Sequence, residues 1–220
     1  DYFGRWKALH YMAKEFFARR AASLEVKEGK IQLYVENETD TEQEYLGYIY
    51  LKKMDLTAVA ERRGKGCAKA FSSVCAAELD LRVCGEYQEL KKSDPIGLDP
   101  DEELFIEGLA VFADGTVCRV AETLLPYKYL RLQEPDFSVE VYRWEAGYEI
   151  RLESDCFAAF VELGIRDADV IFSENYFHIT EKEKKSVFLR EDDIVRGCIE
   201  DEQDVKRRLQ IRSVADTYDR

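Results

Sequence analysis

Apolar positions recur along this chain with two different periods. At the start, Trp6, Leu9, His10, Ala13, Phe16 and Phe17 fall at i, i+3, i+4, i+7, i+10 and i+11, which lines one face of a helix. Arg5, Lys7, Lys14 and Glu15 lie mainly on the other side, so the spacing predicts an amphipathic α-helix. After Ala18 the period drops to two. Leu24 and Val26, then Ile31, Leu33 and Val35, alternate with polar residues around a Glu28-Gly29-Lys30 turn. Tyr45 to Leu51 is a strand-forming run. Val59 opens a segment broken by Gly64 and Gly66, and alternation resumes from Phe71 to Val83, blurred by Ala76 and Ala77. Lys91 to Glu103 combines Pro, Gly and acid and reads as a loop. Leu104–Phe112 and Val117–Leu124 flank Ala113-Asp114-Gly115-Thr116, and Asp-Gly between alternating runs predicts a hairpin with positive φ at both central residues.

Pro126 to Pro135 is the least periodic stretch and the best junction. Beyond it, Phe137–Trp144 and Tyr148–Leu152 predict a second hairpin around Glu145-Ala146-Gly147. Further runs cover Ala159–Ile165, Val170–Phe172, Tyr176–Ile179 and Ser186–Leu189. Residues 192–206 are charge-rich and carry no clear period; Leu209 and Ile211 then alternate with polar neighbours as a last strand. Many short strands with regular turn signals predict an all-β fold of two immunoglobulin-like β-sandwich domains in tandem, preceded by one α-helix. The limits expected from this pattern are 1–17 for the helix, 18–128 for the first sandwich and 129–220 for the second.

Composition agrees with packed domains. At 46% hydrophobic and 12% aromatic residues the chain can fill two cores. Lys and Arg number 32 against 45 Asp and Glu, a net charge of −13 with no basic block, which argues against nucleic acid or an anionic membrane as partner. No apolar run approaches the ~20 residues that span a bilayer. With no signal peptide visible, a cytoplasmic location is the expectation. Cys67, Cys75, Cys84, Cys118, Cys156 and Cys198 are scattered without a CxxC pair; they read as ordinary buried thiols rather than a disulfide or zinc framework.

The candidate chemistry is sparse. His10 lies in the helical stripe and His178 in a strand run, neither beside a nucleophile motif, so both read as packed or surface histidines. Glycoside hydrolysis needs two carboxylates about 5–9 Å apart; the acids here mostly alternate with apolar residues and read as a solvated sheet face. Tyr142, Trp144 and Tyr148, around one hairpin, form a candidate sugar-stacking platform, the alternative being that they cover the sheet. In Ile171–Ile179, Ser173-Glu174-Asn175 is a polar turn between aromatic anchors, with Asn175 suited to left-handed φ and to hydrogen-bonding the local backbone, and Tyr176 and Phe177 fixing a corner on both faces. No phosphate cradle or H-E-x-x-H is present, so no cofactor, metal ligand or catalytic residue is expected.

Four segments resemble one family. DYFGRWKALHYMAKEFFA is similar to the end of the catalytic barrel in β-mannosidases of glycoside hydrolase family 2. LLPYKYLRLQEPD resembles that family's link between its two C-terminal sandwiches, SDCFAAFVEL with IFSENYFHI resembles the hallmark of its last immunoglobulin-like domain, and RRLQIRSVADTY resembles its closing strand. The chain departs from the family at Thr180-Glu181-Lys182-Glu183, where a Pro-Gly turn is usual. The resemblance implies that residues 1–17 are the terminal helix of a (β/α)8 barrel absent from this sequence, and that the stripe packs on that barrel. It implies a non-catalytic C-terminal part of a retaining exo-β-mannosidase, with the N-terminal and barrel domains of the same polypeptide as partners and a mannose-containing oligosaccharide as the parent's substrate. The family's catalytic glutamates lie upstream, and no position here matches them. The competing expectations are an autonomous carbohydrate-binding module, the same part of another family 2 β-glycosidase, and self-association through the orphaned helix.

Overall fold

A computed structural model of the chain describes residues 6–93 and 99–218. The first five residues of the expected helix, residues 94–98 of the expected loop and the last two residues lie outside them. The described residues fall into two compact units, one of residues 15–132 and one of residues 133–218 together with residues 6–14.

Among the described residues, the unit of 15–132 holds seven strands: β1 (Arg20–Lys27), β2 (Lys30–Asn37), β3 (Gln43–Lys53), β4 (Ala58–Ala68), β5 (Ser72–Asp80), β6 (Leu104–Phe112) and β7 (Val117–Thr123). They pair as an antiparallel three-stranded sheet β1-β2-β5 and a four-stranded sheet β4-β3-β6-β7, the layering of an immunoglobulin-like sandwich. The core joins Ile31, Leu33 and Val35 of β2 and Leu79 of β5 to Ile49 and Leu51 of β3 and Ile106 of β6. The first hairpin follows the sequence pattern. Glu28 (φ 51°) and Gly29 (φ 78°) both turn left-handed between paired Lys27 and Lys30, a two-residue turn whose twist matches its strands.

Gly64 and Gly66 do not break β4, which runs unbroken from Ala58 to Ala68. Their lack of a side chain lets other groups come close. A Cβ on Gly64 would stand 1.9 Å from the Ala76 carbonyl oxygen, and one on Gly66 2.7 Å from the Tyr45 hydroxyl. At Gly64 the cause lies in β5, where the register against β2 slips between Leu33 and Tyr34. The slip puts Ala76 and Ala77 both inward, so alternation reverses phase there and the sequence pattern blurs. Bulged Ala76 then fits the notch left by Gly47 and Gly64, which face each other across β3 and β4.

Two other readings are corrected in this unit. Residues 91–93 are not loop but the end of α2 (Gly85–Ser93), a helix whose pattern in sequence is only Tyr87 and Leu90. The Asp114-Gly115 turn uses positive φ at Gly115 alone (86°); the Gly115 N–H donates to the Phe112 carbonyl, and Asp114 is held by accepting the Thr116 N–H at 3.0 Å. Within the aperiodic stretch Leu130 is buried, and Arg131 pairs with Glu102 at 2.8 Å while its N–H donates to the Glu102 carbonyl.

The second unit repeats the plan. Strands β8 (Phe137–Trp144), β9 (Gly147–Ser154), β10 (Ala158–Ile165), β11 (Asp169–Phe172), β12 (Phe177–Ile179), β13 (Lys185–Arg196) and β14 (Leu209–Arg212) form sheets β11-β13-β9-β8 and β12-β10-β14. Tyr148, Ile150, Leu152, Val161, Leu163, Val187 and Leu189 build the core between them. The uncertain 192–206 stretch resolves into the end of β13 and the start of α3 (Glu202–Arg208), capped by Asp201 accepting the Asp204 N–H at 2.8 Å.

Candidate functional site

The most specific local structure in the chain is the corner between β11 and β12, with the helix α1 (Ala8–Phe16) seated on it. The corner begins with a missing rung. β12 pairs with β10 only up to Phe177 opposite Val161, and the chain then leaves the sheet. Asn175, 8% exposed, supplies the next rung from its side chain: the Leu163 N–H donates to Oδ1 at 2.7 Å, and Nδ2 donates to the Leu163 carbonyl at 2.9 Å. Tyr176, not Asn175, carries the left-handed backbone, with φ 60°. Its ring is anchored by the hydroxyl donating to Glu162 at 2.8 Å, and burial with that carboxylate nearby pushes its pKa up. A bulky residue at positive φ is strained, and these fixed contacts hold it there.

Helix α1 docks here through a face the hydrophobic stripe did not mark. Tyr11 is 4% exposed; its hydroxyl accepts the Phe172 N–H at 3.2 Å, and its ring lies 6.0 Å from Tyr176. Lys14 donates to the Ser173 carbonyl at 3.0 Å. Burial raises the Tyr11 phenol pKa, so it stays a neutral phenol at any ordinary pH. The stripe itself is left open: Leu9 is 71% exposed, Phe16 69%, Phe17 87% and Trp6 39%. Trp6 packs edge-on against Tyr11 at 5.2 Å. The helix therefore has two apolar sides, one buried on the C-terminal sandwich and one uncovered among the described residues.

The three-aromatic platform does not form. Trp144 pairs with Gly147, so the turn holds two residues, Glu145 and Ala146, and not three. That shift turns Tyr148 to the opposite face, where it is 1% exposed in the core with the Arg143 guanidinium 4.8 Å above its ring. Tyr142 and Trp144 stay on the outer face, 43% and 38% exposed.

The titratable groups read from sequence are placed as follows. His10 is exposed on α1. His178 lies between Phe157 (6.0 Å, stacked) and Phe160 (4.5 Å, edge-on), and Nδ1 accepts the Phe160 N–H at 3.4 Å. Burial drives its pKa from 6.5 down to about 4. Because the folded value is depressed, the stabilisation is complete above pH 6.5 and is lost as pH falls toward 4. The expected loss from this residue is about 2 kcal/mol at pH 5. Comparing denaturation midpoints of the chain and His178→Asn between pH 7 and 5 tests it: the parent drops by that amount more than the variant.

Two carboxylates depart from the solvated-face reading. Glu107, 1% exposed on β6, is clamped by Lys52 at 2.5 Å and by Arg119. Asp204, 6% exposed, bonds Arg207 at 2.5 Å and Arg208 at 2.9 Å beside a cavity of about 360 Å³, and these arginines hold its pKa low. Each carboxylate sits between two cations. All six cysteines are free, but the buried-thiol reading holds only in part: Cys84 and Cys156 are buried, Cys118 is half-buried, and Cys67, Cys75 and Cys198 are exposed. Among the described residues no cluster of His, Cys, Asp and Glu is placed to hold a metal ion, and no helix is long and apolar enough to cross a membrane.

Comparison with known proteins places this architecture. Residues 132–217 match the immunoglobulin-fold domain of mannosidases. The structure resembles that of a β-D-mannosidase from Dictyoglomus thermophilum, with a TM-score of 0.75 and 17% identity over 97% of this chain and 24% of that one. The exo-chitosanase of Amycolatopsis orientalis shares the fold at a TM-score of 0.53 and 13% identity, over 84% of this chain and 25% of that one. No curated protein matches the sequence. The chain thus spans about a quarter of the length of the solved structures it matches.

Proposed function

We propose that the chain is the non-catalytic C-terminal part of a retaining exo-β-mannosidase of glycoside hydrolase family 2, and that it supports the catalytic barrel of the same polypeptide. The observation that carries this is the two-sided helix. One side of α1 is latched to the C-terminal sandwich through Tyr11, while Leu9, Phe16 and Phe17 face out. Burying a large apolar side chain contributes about 1.5–3 kcal/mol, so the open side calls for a cover, and we assign the barrel to it. The sandwich then acts as a bracket that fixes the barrel's last helix. The mannosidase immunoglobulin-fold match favours a β-mannoside as the parent's substrate; the likeness to an exo-chitosanase means the scaffold alone does not select it. The limits 1–17, 18–128 and 129–220 are proposed with this reading.

The test uses the chain and the polypeptide extended upstream. The chain alone should turn over no nitrophenyl β-mannoside, whereas the extended polypeptide should. The pair Phe16→Asp and Phe17→Asp should leave the chain's stability within about 0.5 kcal/mol, since both side chains are exposed. In the extended polypeptide the same pair should lower the unfolding temperature of the barrel. Unchanged barrel stability, or a light-scattering dimer of the extended polypeptide broken by the same pair, overturns the barrel as the occupant.

A further inference from the structure

The outer face of the sheet β11-β13-β9-β8 carries an aromatic cluster that neither core nor helix uses. Tyr142 and Trp144 project from β8, and Phe188 from β13, all 37–43% exposed. The register sets Tyr142 and Phe188 on either side of Glu149 in one cross-strand row. Trp144 meets Phe188 edge-on at 5.5 Å. Tyr142 and Trp144, two residues apart on a strand, stand about 6.8 Å from each other.

The polar groups around these rings are fixed in place. Arg151 lies 4.6 Å from the Tyr142 ring centroid and makes a forked pair with Glu149 at 3.0 and 2.9 Å. The Ser186 hydroxyl donates to the same carboxylate at 2.7 Å, and Glu140 takes the Lys184 ammonium at 2.7 Å. A ligand would find aromatic faces beside donors and acceptors already held in position, which lowers the entropy lost on binding.

We infer that this face is a binding site for a short neutral β-linked oligosaccharide, with Trp144 as the main stacking ring. Two features select that occupant over a protein. Two charge pairs beside the rings cancel, Glu149 with Arg151 and Glu140 with Lys184, and Arg190, in one row with Trp144 across Gly147, adds a single guanidinium donor, so the face offers a polyol hydrogen bonds without the cluster of like charge that an ionic partner needs. The exposed aromatic area is also small. Rings of this type bury about 150–250 Å² when fully covered, so the exposed parts sum to roughly 200–300 Å², against ~800 Å² per partner in a stable protein interface. A sugar presents C–H groups to a ring face and hydroxyls to its rim, and a shallow site of this kind binds in the range of about 1 mM. Only the choice of a glycan of the mannan type rests on the function proposed above; the ring cluster and its polar frame do not.

The experiment titrates mannotetraose, cellotetraose and chitotetraose into the chain carrying Trp6→Phe, so that Trp144 is the sole tryptophan, and follows its fluorescence with calorimetry alongside. At least one sugar should give a saturable change with a Kd near 1 mM, weakened at least tenfold by Trp144→Ala and unaffected by Cys198→Ser, an exposed residue outside the ring cluster. Circular dichroism of Trp144→Ala should match the parent, since the ring is half out of the fold. Where that variant unfolds, Trp144→Leu with Phe188→Leu takes its place. No saturable change with any of the three up to about 20 mM, or binding unaltered in a folded Trp144 variant, overturns the inference. An inactive extended polypeptide would overturn the support reading and leave this titration as it stands.

Discussion

Gly64→Ala should unfold the first sandwich while leaving the second intact. The added methyl would stand 1.9 Å from the Ala76 carbonyl oxygen and 3.1 Å from its carbon, both backbone atoms. No rotamer change relieves a clash with backbone, so either β4 or the β5 bulge must move, and both are built into the layered core. Overpacking that side chains can absorb costs about 1–3 kcal/mol; here the expected loss is about 3 kcal/mol or more. Gly47→Ala, which meets the Ala76 methyl at 2.9 Å and the tip of Leu33 at 3.3 Å, should lose less, because a shift of a few tenths of an ångström at Ala76 clears it and Leu33 can give way. Gly115→Ala, with nothing within 4 Å and only its φ of 86° to strain it, should lose about 1 kcal/mol. Denaturant titration of the three variants, read by circular dichroism, should rank them in that order. An unchanged midpoint for Gly64→Ala would mean that the approach of β4 to β5 is looser than described.

What the sequence made legible, and what it hid, follows from where side chains report on their surroundings. Alternation marked β2 and β9 because each buries one face against a core while the other face meets polar surroundings; β3 was marked by its strand-forming residues, and β6, whose first five residues are buried on both faces, by the Asp-Gly turn that follows it. The same rule failed at β5, where one extra residue reversed the phase, and at the Glu145-Ala146 turn, where one residue fewer turned Tyr148 into the core. A slip of one residue is invisible in composition and decisive in space. Gly64 looked like a breaker because its role is set by Ala76, a residue on the other sheet. Buried charges were missed for a related reason: Glu107 resembles any strand carboxylate until Lys52 and Arg119 are found on its neighbours.

The candidate site was half legible. The stripe Trp6, Leu9, Phe16 and Phe17 was read correctly as an apolar face, but not the shorter row containing Tyr11, which is the face this chain buries. One tyrosine among polar neighbours gives little periodic signal, and its value comes from the Phe172 N–H waiting at the corner. The aromatic corner was located by its residue types, and Asn175 hydrogen-bonds the backbone there as its side chain suggests. Only the left-handed φ lies elsewhere, at Tyr176, which takes the strain because its hydroxyl and ring are both tied down.

Asn175→Ala should be the most damaging substitution in the second sandwich. It removes both bonds to Leu163 and the one from the Tyr176 N–H at 3.0 Å, leaving a buried backbone N–H and carbonyl without partners. An unmet buried group costs about 1–3 kcal/mol, so the pair sets an expected loss of about 2–4 kcal/mol. The effect should not stop at the sandwich. With the rung gone, Tyr176 at φ 60° keeps its hydroxyl bond to Glu162 but loses the backbone anchor at Asn175, and the ring that carries Tyr11 can shift. Helix α1 should therefore loosen, and Trp6, which packs on Tyr11 at 5.2 Å, should move to a more exposed emission in the Trp144→Phe background. Tyr11→Phe is the companion variant: it drops the hydroxyl's bonds to the Phe172 N–H and to the Asn175 side chain but leaves the Leu163 rung, so it should free the helix partly while the sandwich loses only about 1 kcal/mol. If Asn175→Ala lowers stability by less than about 1 kcal/mol, or leaves Trp6 emission where it was, then the corner does not bear the helix and the bracket must be sought elsewhere in the sandwich.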